Sequence, residues 1–211
     1  MFIRERTPPA IILYGAYLVF EGLSLRAASR ALEPLIKRSH VALWKWVQGL
    51  APLEGLFRAR RITCFLVDET MVRIRGEEAW VRVAYEPRQR RFLALDVAWT
   101  RSSLSAELFL RRLVKRYGRH PLYPDWAPSC PEACRRLGLP HRPLTPRLKG
   151  LLERAVQRLK DRTEGFDDHL PCRRAGCGLG HVRNWLRAFL LHGSPEYLKL
   201  TALAKEMISL S

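Results

Sequence analysis

The chain has 211 residues, and its 37 lysines and arginines outnumber 20 acids for a formal net charge of +17. That length suits one sizeable domain with a smaller companion, and an apolar content of 47% excludes an intrinsically disordered chain. A basic surplus spread along the whole sequence points to a polyanionic partner. Nucleic acid is the commonest, because phosphate contacts and counterion release drive its binding.

Five cysteines (Cys64, Cys130, Cys134, Cys172, Cys177) form an odd set, and no signal peptide is evident, so a reduced, soluble, cytoplasmic and nucleoid-associated protein is expected. The apolar run from Ile11 to Phe20 is too short to span a bilayer and is followed by Glu21, so no membrane partner is expected.

Residues 1–50 read as three helices. Pro8 and Pro9 open the first, from about Ala10 to Phe20, and Gly22 ends it. Ser24 is placed to cap the second, before Pro34 closes it, and Ser39 to cap the third, which Gly49 is expected to stop. Two short helices after a longer apolar one make a helix-turn-helix pattern, whose last helix would enter the major groove of double-stranded DNA. His40 and Lys45 would then face bases, with Lys37 and Arg38 near phosphates. Val41, Trp44 and Val47 have the spacing to pack inward; Trp44 and Trp46 could stack on bases, though core packing is favoured for Trp44. A plain three-helix bundle would show the same pattern. Residues 51–60 read as a linker.

The run from Ile62 to Val67 suits a buried central strand that stops at Asp68 and delivers its carboxylate at the C-terminal end. Glu69 should point to the other face. Glu78 to Pro87 and Arg91 to Trp99 read as a hairpin, in which Asp96 is expected to be solvated. Ser103 to Tyr117 is an amphipathic helix capped by Ser103 or Ser105. A short segment delivers Asp125, a brief helix ends at Gly138, and the stretch from His141 to Thr145 is a possible brief strand.

Leu151 to Arg162 holds neither Gly nor Pro and reads as a helix. Leu148, Leu152, Ala155 and Leu159 share its core side, and Glu153, Gln157 and Lys160 line the other. The same acid and lysine spacing also occurs on solvated helix faces. Beyond lie Cys172, Cys177 and His181, with His169 as a further candidate, at spacings compatible with zinc; ordinary loop or core thiols are the favoured reading, since no repeated cysteine pair completes the pattern. A last helical pair follows.

Asp68, Asp125 and Glu153, two at strand ends and one on a helix, can converge at the edge of a mixed sheet. Such a trio suits two hard cations, Mg²⁺ or Mn²⁺, which prefer oxygen ligands and can serve phosphoryl transfer. Lys160 stands about 10 Å along the axis from Glu153, too far to share a metal and well placed for a DNA phosphate.

The region from FLVDET through LERAVQRLKDR resembles the catalytic core of DDE transposases, most closely the compact insertion-sequence-six group. The likeness covers roughly residues 20–190 and includes EGLSLRAASRAL, SHVALWKWV, WTRSSLSAELFLRRLVKR and ACRRLGL. It implies a ribonuclease-H-like α/β fold, a mixed sheet flanked by helices, with the helix-turn-helix domain before it. Residues 1–50 would be the DNA-binding domain, 51–60 the linker, 61–190 the catalytic domain and 191–211 a C-terminal helical tail. It further implies catalysis by Asp68, Asp125 and Glu153 on two metal ions, Lys160 and Arg162 steadying phosphates, and a homodimer joining terminal inverted repeats to target DNA. The chain departs from the family at Pro124-Asp125-Trp126, where Asp-Gly is usual. That departure motivates the alternative of a catalytically inactive, transposase-derived DNA-binding protein; a structure-selective nuclease on the same fold is a third.

Overall fold

The computed structural model describes residues 6–56, 59–124, 129–163 and 178–209. They form two compact units, one made of residues 1–58 with 184–211, the other of residues 59–183.

The first unit is helical. Helix α1 (Pro9–Phe20) begins on a proline whose missing N–H costs nothing there. In α2 (Leu25–Leu32) the Ser24 hydroxyl accepts from the Ala27 N–H at 3.1 Å, and in α3 (His40–Leu50) Ser39 accepts from Ala42 at 3.3 Å. Gly49 lies inside α3, which runs to Leu50 and tightens into a 3₁₀ turn (Ala51–Leu56). Leu43, Trp46, Val47 and Leu50 form the buried stripe of α3, while Val41 is 48% exposed and Trp44 half-buried. The expected inward set was thus rotated by part of a turn: Trp46, not Trp44, is the core tryptophan. Glycine at position 15 permits this packing, since a Cβ there would meet Leu32 at 3.0 Å and Trp46 at 3.1 Å.

The C-terminal segment belongs to the same unit. From Asn184 onward, α7 (Leu179–His192) lines Trp185 and Phe189 against Phe20, with Trp185 stacked on Phe189. In α8 (Pro195–Ser209) the buried Tyr197 donates from its hydroxyl to the Leu13 carbonyl at 2.9 Å. Helix α8 thus packs on α1 within this unit.

The second unit is a mixed α/β fold around a four-stranded sheet in the order β3-β2-β1-β4. Strand β1 (Phe65–Ile74) pairs antiparallel with β2 (Glu77–Glu86), which pairs antiparallel with β3 (Arg91–Ala98). After α4 (Ser103–Tyr117) the chain returns as β4 (Leu122–Pro124), parallel to β1. Ser102 caps α4, accepting from the Ser105 N–H, one residue before the expected cap. Helices α5 (Ser129–Arg136) and α6 (Pro146–Thr163) complete the unit, with His141 forming only a single parallel bridge to Leu122.

Alternation splits β1 between two faces. Phe65 and Val67 join Ala84, Leu93, Phe109, Leu110, Leu113 and Ala133 in a core beneath α4 and α5. Leu66, Asp68 and Thr70 lie on the other face, in register with Tyr85, Val83 and Val81. Helix α6 covers that face: Leu151, Arg154, Ala155 and Arg158 border Tyr85, and the Arg158 guanidinium lies 5.9 Å from the Phe92 ring centre. Its buried stripe is Leu152, Ala155, Val156, Leu159 and Thr163, with Leu148 half-buried.

Candidate active site and nucleic-acid contacts

Asp68 does not end its strand. It is the fourth residue of β1, which continues to Ile74 and turns through Arg75 and Gly76, both at positive φ (58° and 79°), into β2. Two consecutive left-handed residues give the turn that matches strand twist in tight hairpins. The expected end at Asp68 followed from the loss of apolar residues there, but the charges are accommodated within the sheet.

Asp68 is half-buried on the α6 face, and its Oδ1 accepts from the Glu69 N–H at 2.7 Å. Its neighbour faces α4, with Oε1 of Glu69 2.6 Å from Nε of Arg82 and Oε2 accepting from Nε of Arg101 at 2.7 Å. The Glu69 and Arg82 side chains are only 5% and 2% exposed. Arg82 also donates to the Ser102 carbonyl, and Arg101 stacks 4.8 Å above the Trp80 ring.

In register with Arg82 on β3 stands Asp96, paired with Arg112 and, at 2.9 Å, with Arg183. Asp96 is thus not solvated as expected; its side chain is 15% exposed and held by two guanidinium groups. Glu69, Arg82 and Asp96 make a charged row across three strands, on the face away from Asp68. Sequence reasoning missed it because it depends on cross-strand register. The one local signal was Arg82 itself, an arginine inside the otherwise apolar Trp80–Tyr85 stretch.

On α6, Glu153, Gln157 and Lys160 are all exposed and Arg162 is half-buried. Glu153 is 64% exposed, with Lys149 Nζ at 4.0 Å. Asp125 lies outside the described residues. Among the described residues, no three His, Cys, Asp or Glu side chains are close enough to hold a metal ion. The described part of the sheet does fix one relation: β4 runs parallel to β1 with Val67 opposite Pro124.

In the first unit, Lys37 and Lys45 are exposed and His40 is half-buried at the start of α3. Arg38 is engaged with its own fold, donating from Nε to Thr7 Oγ1 at 2.8 Å and from a terminal nitrogen to the Lys37 carbonyl.

Cys172, Cys177 and His169 lie outside the described residues, and His181 is half-buried on α7. Cys130 and Cys134 are buried packing residues of α5; a hydrogen bond to Cys134 and burial both push the Cys130 thiol up, so it stays protonated. Burial likewise raises Cys64.

No family model matches the chain, and no curated protein matches it in sequence. Among solved structures it is similar to the catalytic core domain of BIV integrase, at 19% identity over 70% of this chain and 98% of that one, with a TM-score of 0.44. It is also similar to a chain of the simian T-cell lymphotropic virus intasome in complex with PP2A regulatory subunit B56 gamma (14% identity, 83% and 66% covered, TM-score 0.48). A third is the HTLV-2 integrase catalytic core domain in complex with magnesium (14%, 61% and 86%, TM-score 0.42). Likeness at these values carries no inference about chemistry.

Proposed function

We propose that the chain is a DDE-type polynucleotidyl transferase, a DNA transposase that cleaves the ends of a mobile element and joins them to target DNA. The observation that carries this reading is the parallel register of Val67 with Pro124. Asp68 follows the one in sequence and Asp125 the other, so each of these paired positions has an acid next in the chain. Helix α6, which bears Glu153 and Lys160, covers the Asp68 face of that sheet.

Asp68, Asp125 and Glu153 would hold two Mg²⁺ or Mn²⁺ ions, and an all-carboxylate donor set fits such hard cations. Bound there, the ions would supply an activated nucleophile and charge stabilisation at the leaving oxygen. Glu69 and Asp96 are excluded from the ligand set by their arginine partners on the opposite face. Lys160 and Arg162 would steady the DNA backbone, and α3 would read duplex DNA through His40 and Lys45, with Lys37 in the turn before it near a phosphate. Arg38 would hold Thr7 and shape the turn before α3, not reach a phosphate. A homodimer would bring two element ends together.

A second reading, DNA binding without cleavage, draws on the exposed Glu153 beside Lys149 and on Trp126 after Asp125. One assay separates the two. Duplexes from the DNA flanking the gene are incubated with protein and Mg²⁺ or Mn²⁺, then scored for nicks and strand transfer. The enzyme reading expects products that vanish in Asp68→Asn and Glu153→Gln while metal-free binding persists. Binding with no product from the unsubstituted protein would leave the second reading standing.

A further inference from the structure

The turn from Pro87 to Arg90 and the flank of α6 border an open cleft of about 560 Å³, into which Arg88, Arg90, Arg147 and Arg154 project beside Leu148 and Leu151. An adjoining cleft of about 190 Å³ shares Arg90, Leu151 and Arg154 and adds Arg158 above Tyr85. Five arginines therefore line one continuous groove, and none of its lining residues is acidic. None of Asp68, Glu153, Lys160 or Arg162 borders it.

Among the described residues, the lining holds no acid to offset this charge. Glu86, the acid at the base of the turn, is fully buried. Its Oε1 accepts from the Thr63 hydroxyl at 2.5 Å and from the Thr63 N–H at 3.3 Å, while Oε2 accepts from the Gln89 N–H at 2.5 Å. The Gln89 amide donates in turn to the Arg60 carbonyl, so the turn is fastened from beneath while its arginines face outward. Arg90 sits at φ 50°, a left-handed conformation that glycine adopts without steric cost. Arg75 adopts the same conformation in the β1–β2 turn, so this geometry belongs to the hairpin.

We propose that this groove is a second track for duplex DNA, gripping the phosphodiester backbone away from the metal-binding carboxylates. The proposal rests on the reading that the chain acts on DNA. Backbone contact fits the chemistry better than single-strand capture: the aromatic lining residue, Tyr85, is only 4% exposed. It offers no face for unpaired bases to stack on. Guanidinium groups, by contrast, suit phosphate oxygens.

The test is the salt dependence of binding to a labelled mixed-sequence duplex, followed by fluorescence anisotropy in EDTA. The groove variant combines Arg88→Ala, Arg90→Gly, Arg147→Ala and Arg154→Ala. A control of equal charge change combines Arg73→Ala, Lys115→Ala, Arg119→Ala and Arg135→Ala. Each lost phosphate contact removes about 0.9 from the slope of log K against log salt. The groove variant should lose about 2 to 4 from the slope, and the control less than about 1. Equal losses in both, or competition by polyglutamate as effective as by duplex, would overturn the proposal. Independently of any substitution, duplex should protect Arg88, Arg90, Arg147 and Arg154 from phenylglyoxal, and an absence of protection also overturns it. The two readings fail separately. Absent nicking with the slope loss intact removes the enzyme, whereas nicking with an unchanged slope removes the groove. No duplex binding by the unsubstituted protein would be the failure of the DNA reading itself.

Discussion

Arg82 and Glu69 lie opposite one another on β2 and β1 with both side chains withdrawn from water, and each makes the other's burial tolerable. Removing Arg82 leaves the buried Glu69 with only the partly exposed Arg101 beside it, which costs more than the Glu69–Arg82 pair contributes. Arg82→Ala should lose about 3 to 5 kcal/mol in urea denaturation, and the double variant Glu69→Leu with Arg82→Met should recover most of it. An equal loss in single and double variants would mean that the pair contributes more than its mutual neutralisation. Tyr197 couples stability to pH instead. Burial pushes its phenol well above the usual tyrosine value of about 10. Above that pH the unfolded chain ionises while the folded one keeps its proton, so the folded state binds more protons and stability falls as pH rises. Below about pH 9 this group should leave stability flat. Above about pH 10 the urea midpoint should decline, with a shallower decline in Tyr197→Phe.

At the scale of elements, the β1–β2 hairpin shows best what sequence reasoning could and could not reach. Gly76 has open space around its Cα but a φ of 79°, so Gly76→Ala tests conformation alone. The substitution should cost about 1 to 2 kcal/mol with an unchanged urea m-value, and Gly76→Asn distinctly less. The Arg75-Gly76 signal was present in the sequence, yet the strand was expected to stop at Asp68. Apolar periodicity carries no information about charges that the fold pairs across strands, and Glu69 meets its partner only once Arg82 is in register. Local chemistry was more legible. The Ser24 and Ser39 caps, the apolar stripe of α6 and the exposed line of Glu153, Gln157 and Lys160 follow from contacts within a few residues. The inward stripe of α3 was displaced because several apolar residues crowd one short helix. Periodicity alone then leaves Trp44 and Trp46 nearly equivalent, and the packing against Gly15 decides between them. Of the candidate site, the face of Asp68 was legible from strand alternation, whereas any meeting of Glu153 with it depends on tertiary placement that no spacing encodes.

Across the whole molecule, the two chain ends share one unit and the sheet forms the other, so a late truncation should be felt early in the sequence. Helix α8 packs on α1: the fully buried Tyr197 reaches the Leu13 carbonyl, and the Lys205 ammonium lies 4.9 Å from the Tyr17 ring. Deleting residues 194–211 would strip that cover and expose apolar positions of α1, such as Ile12 and Ala16, that are now buried. Burying one large side chain contributes about 1.5 to 3 kcal/mol, so losing a whole helix removes a large share of a unit's stability. Strands β1 to β3 draw their core from α4, α5 and their own neighbours, none of which is deleted. Hydrogen exchange of the shortened chain should therefore show peptides within residues 9–50 losing protection, while peptides within 65–98 keep theirs. Equal loss in both sets would show that the sheet needs the helical unit to stay folded. Loss in neither would mean that α1 to α3 hold together without α8.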